Sequence, residues 1–241
     1  MKREDRRDVT RRDMLGVFTA AVGAAFMGCG SSPTSPSTSS GTSTSTGGTT
    51  SGACAATPSE TAGPYPDRTG MINGATYYRQ DVTEGKLGLP LTLALTVVNV
   101  NNACSPIANA TVEIWHCDAA GNYSEYGNST GQTFLRGLQR SDADGKVTFN
   151  TVYPGWYAGR ATHIHLEVFV NGASVKTTQM AFPDDITTGV YATDVYASRG
   201  NNPTRTSADG IFADGTTNEL ATMSGSTSSG YTAMLQLGVA V

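Results

Sequence analysis

Histidine and tryptophan are scarce in this chain, three and two among 241 residues, and only 15% of the side chains carry charge. The apolar stretch from Met14 to Met27 has fourteen residues, short of the ~20 a membrane-spanning helix needs. Sixteen Lys/Arg against twenty Asp/Glu give a net charge of −4 with no basic stripe, which argues against a nucleic-acid partner. No convincing 3.6-residue apolar period appears before the last fifty residues. What remains is a Gly- and Thr-rich chain in which apolar and polar residues alternate.

The first 53 residues do not look like domain material. Met1 to Asp13 carries six Lys/Arg and four Asp/Glu, with Arg11-Arg12 directly before the apolar stretch. Fourteen apolar residues suit the core of an export signal, and T-R-R-D-M-L-G resembles a twin-arginine one. Phe26-Met27-Gly28-Cys29 resembles a bacterial lipobox, which makes residues 1–28 an export signal and Cys29 a lipid anchor; the plain alternative is a signal peptide in which Cys29 is incidental. Residues 29–53, nearly all Ser, Thr, Gly and Pro, read as a flexible tether to a domain over 54–241. The expected localisation is exported, at the cell envelope or beyond it, with contact to a membrane only through Cys29. Without residues 1–28 the chain is near −6.

Strand patterns fill the domain. L-P-L-T-L-A-L-T-V-V-N-V (89–100) alternates Leu93, Leu95 and Val97 with Thr92 and Thr96. Further strands are expected over 110–118, 146–152, 162–170 and 173–182, the last two joined at Asn171-Gly172. Short strands with Gly-rich turns predict an all-β fold, a sandwich of mostly antiparallel strands, wrapped by polar loops from Pro183 to Gly230. D-A-D-G (142–145) has a calcium-loop look, but Tyr153 stands where a bidentate glutamate is needed, so it is expected to be a turn. Of Cys54, Cys104 and Cys117, one pair is expected to bridge; three pairings are open, with Cys54–Cys104 favoured because both lie outside the best strand patterns.

Two of the three histidines stand in T-H-I-H-L-E. Side chains two apart share a strand face, so His163 and His165 point the same way, either as metal ligands or as a hydrogen-bonded polar pair. Glu167 on that face would suggest a ferrous facial triad, and His116 would suggest zinc or copper. Composition does not choose among these.

T-A-G-P-Y-P (61–66), V-E-I-W-H-C-D-A-A-G-N-Y-S (112–124), the block from Phe134 to Tyr157 and R-A-T-H-I-H (160–165) resemble, in order, the successive motifs of intradiol ring-cleavage dioxygenases, over roughly residues 58–182. The resemblance implies a non-haem ferric ion, Fe(III), held by Tyr123, Tyr157, His163 and His165. It also implies active-site roles for Arg160 and for Gln179 of Q-M-A-F, with Tyr157 taking a proton from an aromatic diol. The expected reaction is cleavage of a catechol-type ring between its two hydroxyls by O2, giving a muconate-type diacid. A free phenol ionises near pH 10, so tyrosine ligation calls for a strongly acidic cation, which favours ferric iron over zinc.

Three features depart from the catabolic members. Only Ala158 and Gly159 separate Tyr157 from Arg160, which predicts an open pocket; W-H-C-D replaces W-Q-A; and the long N-terminal helical region is missing. His116 and Cys117 are expected to support or pack rather than ligate. A reading from another class is a non-catalytic cell-surface sandwich that binds carbohydrate or aromatic polymer.

Overall fold

A computed structural model describes residues 54–241; the expected export signal, the lipobox cysteine and the tether lie outside the described residues. Nine strands form two sheets. The first holds β1 (Pro90–Asn99), β2 (Ser105–Pro106), β5 (Lys146–Val152), β8 (Thr222–Ser226) and β9 (Gly230–Val239); β2 and β5 flank one side of β1, and β9 then β8 the other. The second runs in the order β4 (Arg136–Arg140), β3 (Thr111–Trp115), β6 (His163–Val170), β7 (Ala173–Ala181), all antiparallel. The expected sandwich is therefore present, and Cys54 is bonded to Cys104.

The core follows from alternation. Leu91, Leu93, Leu95 and Val97 of β1, with Phe149, Leu235 and Leu237 beside them, meet Val112, Ile114, Ile164, Leu166, Val168 and Met180 of the other sheet. This leaves His163, His165 and Glu167 on the outer face of the second sheet. That face would normally be wet, yet both histidines are buried, because loops from four parts of the chain close over them.

Several elements differ from the expectation. The strand at 110–118 stops at Trp115, since Asp118 Oδ1 takes the N–H groups of Ala120 and Asn122 and turns the chain. The tail carries α1 (Asp184–Tyr191), α2 (Asp194–Ala197) and β8 as well as loops, and β9 pairs in parallel with β1 at the centre of its sheet. D-A-D-G is a turn, in which Asp142 Oδ1 accepts the N–H groups of Asp144 and Lys146. The free edge of β7 is covered on both sides of its length: Glu60 donates to Thr177 O, and Ala181 exchanges backbone bonds with Glu219 and Ala221. Among the described residues no helix is long and apolar enough to cross a membrane.

One buried carboxyl on the outer face gives a test of this packing. Glu113 pairs across strands with Glu167, and burial, reinforced by Asp67, Glu167 and Glu125, pushes its pKa up to about 8. A carboxyl raised in the folded state is protonated there while the unfolded chain is already ionised. Its stabilising contribution is complete below about pH 4.5 and is lost as pH rises through 8. Glu113→Gln removes that loss. The variant's stability relative to wild type should grow by about 1 kcal/mol per pH unit between pH 5 and 8, measured by urea melts. A difference independent of pH would show that Glu113 is not held neutral.

Candidate metal centre

β6 supplies the two imidazoles. His163 Nδ1 donates to the Ala161 carbonyl at 2.6 Å, so its Nε2 carries the lone pair. That atom lies 3.2 Å from His165 Nε2 and 3.1 Å from the Tyr157 hydroxyl. The His165 ring is sandwiched in place: Trp115, its neighbour on β3, stacks on it at 4.9 Å with planes 3° apart. From above, Gly63 leaves no room to spare, since a Cβ there would come within 2.9 Å of His165 Cε1 and its φ is +69°.

The two tyrosines arrive on loops. Tyr123 sits in the connection between β3 and β4, where the Ser124 hydroxyl donates to Phe134 O and accepts from the buried Arg136. Its ring stacks on Tyr65 at 4.5 Å and lies 5.8 Å from Tyr157 and 6.2 Å from His165. Tyr157 follows Pro154-Gly155-Trp156. Gly155 is required by a close approach of two loops, as a Cβ would meet Asp118 O at 2.4 Å. Arg199 Nη2 donates to the Trp156 carbonyl and fixes the turn before Tyr157. The two residues after it, Ala158 and Gly159, are exposed, and a Cβ on Gly159 would meet nothing within 4 Å, so the short connection leaves this side of the site open.

Arg160 and Gln179 join the cluster. Arg160 Nη1 is 3.4 Å from His163 Nε2, while Nη2 donates to Gln179 Oε1; Gln179 Nε2 in turn donates to Thr61 O at 2.7 Å. Gln179 faces His165 across β6 and β7. All six residues singled out in the sequence, Tyr123, Tyr157, Arg160, His163, His165 and Gln179, thus meet at one end of the second sheet.

His116 and Cys117 do not enter it. His116 is fully buried with both nitrogens engaged: Nδ1 donates to Cys117 O and Nε2 accepts from Thr151. The Cys117 thiol, pushed up to about 12 by burial, donates to Gly155 O. Both residues serve packing. Glu167 is also elsewhere, its carboxylate accepting from Ser174, and among the described residues no three His, Cys, Asp or Glu gather to hold a metal. The facial-triad alternative, and one drawing on His116, are set aside. Gly63 and Tyr65 lie in the T-A-G-P-Y-P motif, which gave them no individual role, and Asp209 carried no signal in the sequence.

The electrostatics leave every member of the quartet uncharged. Burial, aided by the Arg160 cation, lowers His163 to about 3, and burial with the neighbouring His163 takes His165 well below the imidazole range. Burial raises both phenols, Tyr123 far more than the half-buried Tyr157. Two neutral imidazoles 3.2 Å apart cannot both be satisfied. If His165 carries its proton on Nδ1, two lone pairs oppose each other and the buried Nδ1–H has no acceptor; if on Nε2, Nδ1 is left without a donor. The Tyr123 hydroxyl is likewise buried with no partner. Such arrangements are costly, and a cation held by the two Nε2 atoms and the phenol oxygens would relieve the opposed lone pairs and give the Tyr123 oxygen a partner. Two phenol oxygens and two imidazoles suit a trivalent, oxygen-preferring ion, so the donor set fits ferric iron.

A β-sandwich with a buried cluster of two tyrosines and two histidines at the end of one sheet defines the class of protein. Residues 62–202 match the family model described as Dioxygenase, and the chain belongs to the intradiol ring-cleavage dioxygenases. Over 153 residues it is 28% identical to catechol 1,2-dioxygenase 1 of Acinetobacter lwoffii, covering 54% of this chain and 47% of that one. Over 115 residues it is 33% identical to the protocatechuate 3,4-dioxygenase beta chain of Burkholderia cepacia, covering 42% and 49%. The chain thus spans about half the length of these curated relatives. An intradiol ring-cleavage dioxygenase from Tetranychus urticae superposes with a TM-score of 0.71 at 26% identity, covering 78% of this chain and 95% of that one.

Proposed function

We propose that this chain is a non-haem ferric dioxygenase that opens catechol-type rings between the two hydroxyls, adding both atoms of O2 to give a muconate-type diacid. The observation that carries the proposal is the convergence of two imidazoles and two phenols on one site, with the two Nε2 atoms 3.2 Å apart and the buried Tyr123 hydroxyl without a partner. Its relatives are catechol and protocatechuate dioxygenases, which agree in substrate class.

Tyr123, Tyr157, His163 and His165 would hold the ion, which when bound supplies Lewis acidity toward the diol and an electron path between ring and O2. The protein's own contribution is proton transfer, charge and exclusion of water. Tyr157, less buried than Tyr123 and next to the open turn, is the phenol a substrate reaches first. Its Oη, ionised while it holds the ion, would receive one diol proton, which would make it the general base. Arg160 Nη1, the guanidinium nitrogen nearest the quartet, stabilises negative charge on the ring as it develops. Gln179 holds Nη2 of the same guanidinium and keeps the fork from turning away. Trp115 and Tyr65 close the cluster behind His165 and Tyr123, so the dielectric there stays low.

The exposed two-residue turn at Ala158-Gly159 supports a pocket open to ring substituents. Oxygen uptake by the iron-supplied protein with catechol, protocatechuate and hydroxyquinol tests the activity. One O2 consumed per diacid formed supports the proposal; iron-replete protein that consumes no O2 with any diol contradicts it and leaves the binding-module reading. Export and a lipid anchor at Cys29 belong to the same proposal, on the strength of the N-terminal sequence; labelling with a radioactive fatty acid, lost in Cys29→Ser, tests that part.

A further inference from the structure

The family match ends at residue 202, yet a side chain beyond it reaches into the cluster. Asp209 is 1% exposed and its two oxygens are fully occupied. Oδ1 accepts from Ile211 N at 2.8 Å and Arg160 Nε at 3.1 Å; Oδ2 accepts from Arg160 Nε at 2.9 Å and Ala161 N at 2.6 Å. The segment is anchored where it needs to be. A 3-10 turn over Thr206–Ala208 ends at Asp209, and three residues on Phe212 buries its ring with Ala161 and Ala181, 5.8 Å from the guanidinium carbon of Arg160.

Two consequences follow for the site. Because Nε of Arg160 is held from behind by Asp209, and Nη2 by Gln179, the remaining nitrogen Nη1 is turned toward His163 Nε2. Ala161 is tied at both ends: its N–H goes to Asp209 and its carbonyl takes the Nδ1 proton of His163, the bond that leaves Nε2 free. We infer that Asp209 is a positioning residue of this active site, aiming Arg160 Nη1 at the reacting face and bracing, through Ala161, the backbone that orients His163. The inference rests on the proposed dioxygenase reading for its catalytic meaning, although the ion pair itself does not. It also assigns a role to the segment 203–214, which would otherwise be surface loop. A guanidinium freed from Asp209 has a flexible stem and can swing to solvent past the short Ala158-Gly159 turn, and misplacement by about 1 Å costs on the order of 10²-fold in rate.

The test compares Asp209→Asn, which keeps the shape but removes one acceptor oxygen and the charge, in wild-type and Arg160→Met backgrounds. Expected is a kcat loss of roughly 10- to 100-fold in the wild-type background, with KM changed less, and no further loss when Arg160 is already absent. Asp209→Glu, which keeps the charge on a longer stem, should recover part of the kcat. Equal losses in both backgrounds, or a folded Asp209→Asn enzyme with wild-type kcat, would overturn the inference. If iron-loaded wild type turns over no diol, the dioxygenase reading fails, and the positioning claim is decided on metal-free protein by NMR. The Arg160 Nε–H signal should be protected from solvent exchange in wild type and exchange rapidly in Asp209→Asn; equal protection in both overturns it.

Discussion

Tyr157→Phe is expected to lower turnover of a catechol by ~10²–10⁴-fold, the usual contribution of a general base, with little change in stability. Phenylalanine keeps the ring that meets Tyr123 and Tyr65 edge-on at 5.8 and 6.2 Å and packs against His163 at 5.6 Å. It removes only Oη, which lies 3.1 Å from His163 Nε2. The loss of one half-buried hydrogen bond costs about 1 kcal/mol, so the variant folds and the deficit falls on chemistry. Steady-state kinetics with matched iron content makes the comparison; a variant within threefold of wild type would remove Tyr157 from the proton path. Tyr123→Phe should resemble it in metal binding but not in the proton step, since the buried Tyr123 hydroxyl is the less accessible of the two.

Arg160→Met is expected to cost roughly 10²–10³-fold in kcat, the scale seen when one donor to a developing anion is removed. Methionine keeps much of the aliphatic length beside Phe212 but leaves Asp209 buried without its counter-ion and Gln179 Oε1 without its donor. An unpaired buried carboxylate is expensive, so this variant also loses stability, by about 3–5 kcal/mol unless Asp209 takes up a proton. The two effects separate in a double variant, Arg160→Met with Asp209→Asn, where stability should recover and kcat should not. Recovery of kcat in the double variant would mean that Arg160 acts only as a partner for Asp209.

Much of this was legible in the amino-acid order. β1, β5 and the β6–β7 hairpin announce themselves because each has one apolar face and turn residues at its ends; Asn171 and Gly172 both adopt positive φ, as an Asn-Gly hairpin turn requires. The quartet was legible through motif order: H-x-H fixes two residues on one face, and the loops bring Tyr123 and Tyr157 to it. β4 was hidden because R-G-L-Q-R is mostly polar. Arg136 there is fully buried, its Nε and Nη2 donating to Ser124 and the Tyr65 carbonyl, a pairing no local pattern reveals. β9 was hidden in part by distance, since one of its two partners, β1, lies more than a hundred residues earlier and runs parallel. His116 was expected to support or pack, and the sequence does not show that Thr151 stands opposite its ring. Asp209 stands in a polar tail as one acidic residue among several, and only folding sets it against Arg160.

The proposed ferric ion would be held through two tyrosine oxygens, and phenolate-to-iron charge transfer is visible to the eye. Stoichiometric ferric iron added to the purified domain should produce a red-brown colour with a broad visible band, shifted and weakened in Tyr123→Phe and in Tyr157→Phe and absent from the double variant. Iron that binds without colour, or colour that survives removal of both tyrosines, would contradict the account.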